Sequence, residues 1–143
     1  MARRPNTPNP QDVSLLRCRT QRASAREEVG EQGATLSAGP FTLVIPPSAV
    51  GEPATFTLEV PDADVRRVRI QVNGADTYDF ARPVTLRGAT TGCDMEKVED
   101  LHIVRVAHDS DEILEVFPSQ VASGLGAVSA RLERIGSGYA IST

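Results

Sequence analysis

The chain has 143 residues, a formal net charge of −4, 40% hydrophobic and 24% charged residues, which suits one globular domain with a core of its own and excludes a disordered chain. No apolar run approaches the roughly 18–20 residues of a membrane helix, and the acidic balance argues against nucleic acid as a main partner.

Residues 1–22 read as a basic Pro/Arg-rich arm or linker. Met1–Pro10 contains Pro5, Pro8 and Pro10, so it is unsuited to helix and has few side chains for a core. Residues 1–26 hold six arginines against one acid, Asp12, a net +5; residues 27–143 hold nine basic and eighteen acidic residues, a net −9. A basic tail on an acidic body is the expected organisation. The arm has no apolar signal-peptide core. The expectation is therefore a cytoplasmic protein, or an extracellular or cell-surface one if a leader has been removed upstream of Met1. Ser14–Arg19 reads as either a short helix or a strand.

Residues 23–143 read as one β-domain. From residue 34 the apolar period is two. Phe41, Leu43 and Ile45 alternate with Thr42 and Val44 until Pro46-Pro47 stops the strand. Phe56, Leu58 and Val60 alternate with polar residues as far as Pro61. Val68, Ile70 and Val72 follow, then an Asn73-Gly74 turn. Tyr78 and Phe80 form a short strand, and Pro83 opens another through Val84 and Leu86, a position where its missing N–H costs little. Leu101 to Ala107 places Leu101, Ile103 and Arg105 on one face and His102, Val104 and Val106 on the other. Ile113 to Phe117, Ala127 to Leu132 and Tyr139 to Ser142 complete the set. About eight to ten short strands with turns every 8–12 residues predict an all-β antiparallel sandwich with an extended N-terminal arm. Alternation predicts one wet and one buried face per sheet. Gly33 suits a turn that needs positive φ.

Gly30-Glu-Gln-Gly33-Ala-Thr-Leu36, Phe41-Thr-Leu-Val-Ile45-Pro-Pro-Ser-Ala-Val50 and Phe80-Ala-Arg-Pro-Val-Thr-Leu86 together resemble the ZU-five domain, of the type found in bacterial surface proteins. The family pattern is G-x-x-G-G-T-L, then a strand ending I-P-P-G-A-V, then F-x-x-P-V-x-L. Here Ala34 and Ser48 each replace a glycine. The closing Ser137-Gly-Tyr-Ala140 is similar to the last strand of the bacterial versions. The resemblance spans about residues 23–142 and implies a β-sandwich scaffold. It also implies a disulfide between Cys18 and Cys93, the only cysteines, because related sequences carry one cysteine before the first strand and one after the third motif. Two buried free thiols are the alternative.

Some family members cleave themselves at His-Phe-Ser. The matching position is Ile135-Gly136-Ser137, where the histidine base and the phenylalanine are both replaced. A serine without a neighbouring base is a poor nucleophile, so Ser137 is read as a turn residue and self-cleavage is disfavoured. His102 and His108, with Asp109 or Asp111, read as solvated strand and turn residues rather than a metal site. Asp94, Glu96, Glu99 and Asp100 read as a solvated loop, with weak calcium holding as the alternative. The six aromatics Phe41, Phe56, Tyr78, Phe80, Phe117 and Tyr139 are assigned to strands, and so to packing.

The expected function is a non-catalytic structural or interaction module of a bacterial extracellular or cell-surface protein, with no enzymatic activity and no cofactor. An autoproteolytic domain, a ligand-binding sandwich for carbohydrate or calcium, and an intracellular scaffold domain are the alternatives. Val13, Leu15 and Arg17 alternate with Ser14, Leu16 and Cys18, and Arg19 adds charge. Such a strand, donated to the acidic body of a neighbour, makes a head-to-tail contact that generates filaments. The expected partner is a second copy of the chain or another surface protein, the alternative role of the arm being a simple tether.

Overall fold

The structure is a computed structural model and describes residues 8–93, 101–107, 110–122 and 126–142. A 3-10 turn over Pro10–Asp12 precedes β1 (Arg17–Thr20), β2 (Ala23–Val29), β3 (Ala34–Ala38), β4 (Phe41–Ile45), β5 (Ala54–Val60), β6 (Ala63–Val65) and β7 (Arg67–Val72). Then come β8 (Tyr78–Ala89), β9 (His102–Val106), β10 (Ile113–Val116), β11 (Ser119–Ala122), β12 (Ala127–Ile135) and β13 (Gly138–Ser142). The fold is all-β, as expected, with thirteen strands among the described residues rather than eight to ten. Among the extra ones, β6 and β11 are too short for alternation to reveal them.

Two antiparallel sheets form the layers. The six-stranded sheet runs β10-β9-β13-β7-β5-β2, the five-stranded sheet runs β11-β12-β8-β4-β3, and β1 and β6 form a separate two-stranded ribbon. The alternating side chains of β4, β5 and β7 do what their spacing predicts. Phe41, Leu43, Phe56, Leu58 and Ile70 are fully buried, and with Leu86, Leu132 and Ile141 they form the core between the layers.

The six-stranded sheet departs from the expectation of one wet face. Ile103 and Ile141 enter the main core, so their neighbours Val104 and Ala140 point the opposite way. These neighbours are nevertheless fully buried, and with Val106 and Val116 they make a second, smaller core. Val13, Leu15 and Ile113 pack on it. The N-terminal segment thus lies on the outer face of the sheet and keeps the middle of that face dry.

Tyr78–Ala89 is one long strand rather than two, and Pro83 lies inside it instead of opening a strand. The register explains the difference. Leu132 pairs with Val84 and Arg134 with Asp79, so the intervening residues of β8 bulge away from β12. A missing N–H is harmless there.

The turns follow local chemistry. Asn73 and Gly74 both have positive φ and close a two-residue hairpin between Val72 and Ala75, the geometry that Asn-Gly favours. Gly33 sits at φ +78°, and a Cβ there would run into the Ile45 carbonyl oxygen.

Cys18 and Cys93 form a disulfide with a Cα separation of 5.2 Å, within the span such a bond requires. It joins β1 to the turn after β8. Arg66 holds the same turn from the other side, donating to the carbonyls of Ala89 and Thr91. Burial lowers the pKa of this guanidinium.

Candidate functional site

The arm residues expected to associate with a neighbour lie on their own domain. The Leu16 N–H donates to the Ile141 carbonyl at 2.8 Å, and Leu15 bridges to Ser142. Leu16 and Cys18 are buried in the main core, while Val13 and Leu15 pack on the second. Arg17 is exposed, and Arg19 pairs with Asp62 and Asp64 of the ribbon. The disulfide fixes this placement covalently from Cys18 onward.

Ser137 occupies the turn between β12 and β13 with φ +45°, and its Oγ is buried without a hydrogen-bond partner. Among the described residues no base therefore touches the hydroxyl. His102 is half-buried on β9, whereas His108, Asp109, Asp94, Glu96, Glu99 and Asp100 lie outside the described residues. Asp111 pairs with Arg67. Among the described residues no group of three or more acidic, histidine or cysteine side chains is arranged to hold a metal ion. No helix among them is long and apolar enough to cross a membrane.

Two hollows remain. One, of about 840 Å³, lies against the ribbon and the outer face of the six-stranded sheet, with Arg17, Arg22, Arg67 and Arg69 on its walls. Arg67 is tied to the Ser110 carbonyl and Asp111, and Arg69 grips Asp76 through two nitrogens.

The larger hollow, about 1200 Å³, follows from a mismatch of strand lengths. Strand β12 runs the full stretch from Ala127 to Ile135 beside β8, but β11 pairs only with Ala127–Ala130. The shortfall arises because the chain reaches β11 from the other sheet, crossing at Phe117-Pro118. That corner is tied down: the Phe117 N–H donates to the Ile103 carbonyl, Ser119 Oγ accepts the Ile103 N–H at 2.9 Å, and the same hydroxyl donates to the Phe117 carbonyl. Beyond Ala130, the place beside β12 where β11 would continue is a cleft.

The cleft reaches both faces of the sheet edge. Thr85, Ser129 and Arg131 line it on the outer side, and Arg105, Phe117 and Tyr139 line it from between the layers. Arg105 shares the core-facing side of β9 with Ile103 but stands at the mouth, where its Nε donates to Glu115 at 3.2 Å. Tyr139 closes the far end. Its hydroxyl accepts the Gly136 N–H at 3.0 Å and donates to the Arg134 carbonyl. Burial pushes the phenol up to about 12, so this hydroxyl keeps its proton and both bonds at neutral pH. Sequence reasoning missed the cleft because it missed β11. The one local signal was Pro118, which breaks the run from Ile113.

Comparison with known protein-family models finds no match, and no curated protein is significantly similar to the chain.

Proposed function

We propose that the chain is a ZU-five-like, non-catalytic structural or interaction module of a bacterial extracellular or cell-surface protein. One observation carries this reading: the Cys18–Cys93 disulfide stitches the basic arm to the sandwich. Disulfides of this structural kind persist in oxidising compartments. The motifs around Gly33, Pro46-Pro47 and Pro83 serve turns, strand ends and a bulge, which are scaffold roles. The self-cleaving alternative is not favoured, because Ile135 and Gly136 replace the motif and Ser137 Oγ has no partner among the described residues to activate it.

Self-assembly into a fibre belongs to the same proposal in a narrower form. Pro10 to Thr20 is engaged with its own domain, so the fibre reading is left to the residues before Pro10. Deleting residues 1–22 would also remove β1 and one cysteine, so deletion of residues 1–9 is the better comparison in sedimentation. The compartment is tested by alkylating thiols in cells of the native source, followed by surface proteolysis and mass analysis. An oxidised, surface-accessible chain is expected. A cytoplasmic chain with both thiols alkylated sinks the reading.

A further inference from the structure

We propose that the uncovered edge of β12 is a docking site for one added β-strand, supplied by another protein as an extended peptide with apolar residues on its inner side and one acidic residue beside Arg131. This rests on the interaction-module reading and names the partner chemistry for it.

The backbone supplies the template. Strand β8 pairs with one side of β12 throughout, and β11 covers the other side only to Ala130. Among the described residues no strand pairs with Arg131–Arg134 on that second side. An unpaired strand edge presents a row of N–H and C=O groups that accept another strand. The vacant position is already walled, so an incoming strand would extend the line of β11 without displacing an existing one. The open stretch is short, four residues or about 13 Å at ~3.4 Å per residue, and the Tyr139 hydroxyl ends it at the Arg134 carbonyl.

The side chains select the occupant. Leu132 is buried toward the core, and Arg131 and Glu133 point to solvent on the opposite face. A residue of the added strand on the inner side would meet Phe117 and Ile135, which line the cleft, and an apolar one fits. A residue on the outer side would lie beside Arg131. Arg131 and Arg134 have no ion-pair partner among the described residues, whereas the third arginine of the cleft, Arg105, already has Glu115. Opposite charges across a strand pair are favourable and like charges unfavourable, so the outer position beside Arg131 calls for Asp or Glu, and the one beside Glu133 for an uncharged residue such as Thr. The arm of a second copy fails on both counts: it is basic, and its prolines cannot donate to a ladder.

The test titrates the full chain, disulfide intact, with two labelled peptides in which valine alternates with the outer residues; both carry Thr for the position beside Glu133, and for the position beside Arg131 one carries Glu (Glu-Val) and the other Lys (Lys-Val). Each is N-methylated on the edge facing away from the protein to prevent self-pairing. A third Glu-Val peptide, N-methylated on the opposite edge, cannot complete the ladder. Fluorescence anisotropy gives affinity, and amide hydrogen exchange gives location. The Glu-Val peptide is expected to bind, with those amides of Arg131–Arg134 that face the open edge slowed in exchange. The Lys-Val peptide and the ladder-blocked peptide should bind at least about fivefold more weakly, and Arg131→Glu, an exposed position with no partner to lose, should reverse the charge preference. The proposal is overturned if neither charged peptide binds at millimolar concentration, if protection appears at the edges of β2, β3 or β10 instead, or if the blocked peptide binds equally well. The exchange map on the unmodified chain decides the matter even if Arg131→Glu fails to fold. A failed titration leaves the surface-module reading intact, since that is judged by compartment and thiol state.

Discussion

Removing the disulfide is the most direct test of how this chain holds its arm. The variant Cys18→Ala with Cys93→Ala leaves two small apolar side chains in place of the bridge, avoiding the burial of an unpaired hydroxyl that serine would bring. The bond closes a loop with a sequence separation of 75. In the chain-entropy model such a loop restricts the unfolded ensemble by about 4.5 kcal/mol at 25 °C. For 143 residues, an unfolding entropy of roughly 2.1 cal/mol/K per residue converts 1 kcal/mol into about 3 °C, so Tm is expected to fall by about 15 °C. Calorimetry on the oxidised chain, the same chain under reductant and the double variant provides the comparison. The reduced chain and the variant should agree within a few degrees, and the denaturant m-value should rise in both, because the uncrosslinked unfolded state exposes more surface. A fall in Tm below about 3 °C would refute the reasoning, as would an unchanged m-value.

Alkaline titration should expose Tyr139. Its folded pKa of about 12 lies above the ordinary 10.0, so the unfolded chain loses a proton that the folded chain keeps. The resulting stabilisation is complete below pH 10 and is lost as pH rises toward 12, an effect on the order of 2–3 kcal/mol. Denaturant melts should lose this increment in the native chain but not in Tyr139→Phe. Gly88 is packed so closely that an added Cβ would lie 2.7 Å from Ile141 Cδ1. Gly88→Ala should therefore cost about 1–3 kcal/mol in urea unfolding, and adding Ile141→Val, which deletes that methyl, should recover part of it. Ser48 has φ +66°, a conformation unfavourable for a residue with a Cβ, so Ser48→Gly should raise stability by about 1 kcal/mol. A neutral or destabilising result in thermal unfolding would contradict that assignment.

The strands whose faces differ sharply in polarity were readable from the residues alone. In β4, β5 and β7 the large apolar side chains occupy every second place, and the structure buries those places. Strand β2 falls inside the β-domain read from residue 23 onward but was not recognised as a strand, because Ala23 and Ala25 are too small to mark a face and Arg26-Glu-Glu looks like solvated loop. The second core was also hidden. Whether Val104 and Val106 face water depends on Val13 and Leu15, which arrive from some ninety positions away, and no local pattern encodes that docking. The cleft beside β12 is likewise non-local, since it exists because β11 starts late after a corner fixed by Ser119. The motif glycine Gly33 was readable because its turn leaves no room for a side chain, and Ser48 shows the same positive φ without the glycine.

The placement of the Cys18–Cys93 bond also determines how the chain would respond to tension. A pull applied between the two ends enters at Cys18, crosses the sulfurs to Cys93 and bypasses everything between. Strands β2 to β8, which include parts of both sheets, then carry no direct load, and only β9 to β13 and the segment before Cys18 can pay out. The hidden length is that of the 75-position loop, roughly 260 Å at about 3.5 Å per residue. A module built this way yields roughly half of its contour length and then stops, which makes the disulfide a strain limiter as well as a stabiliser.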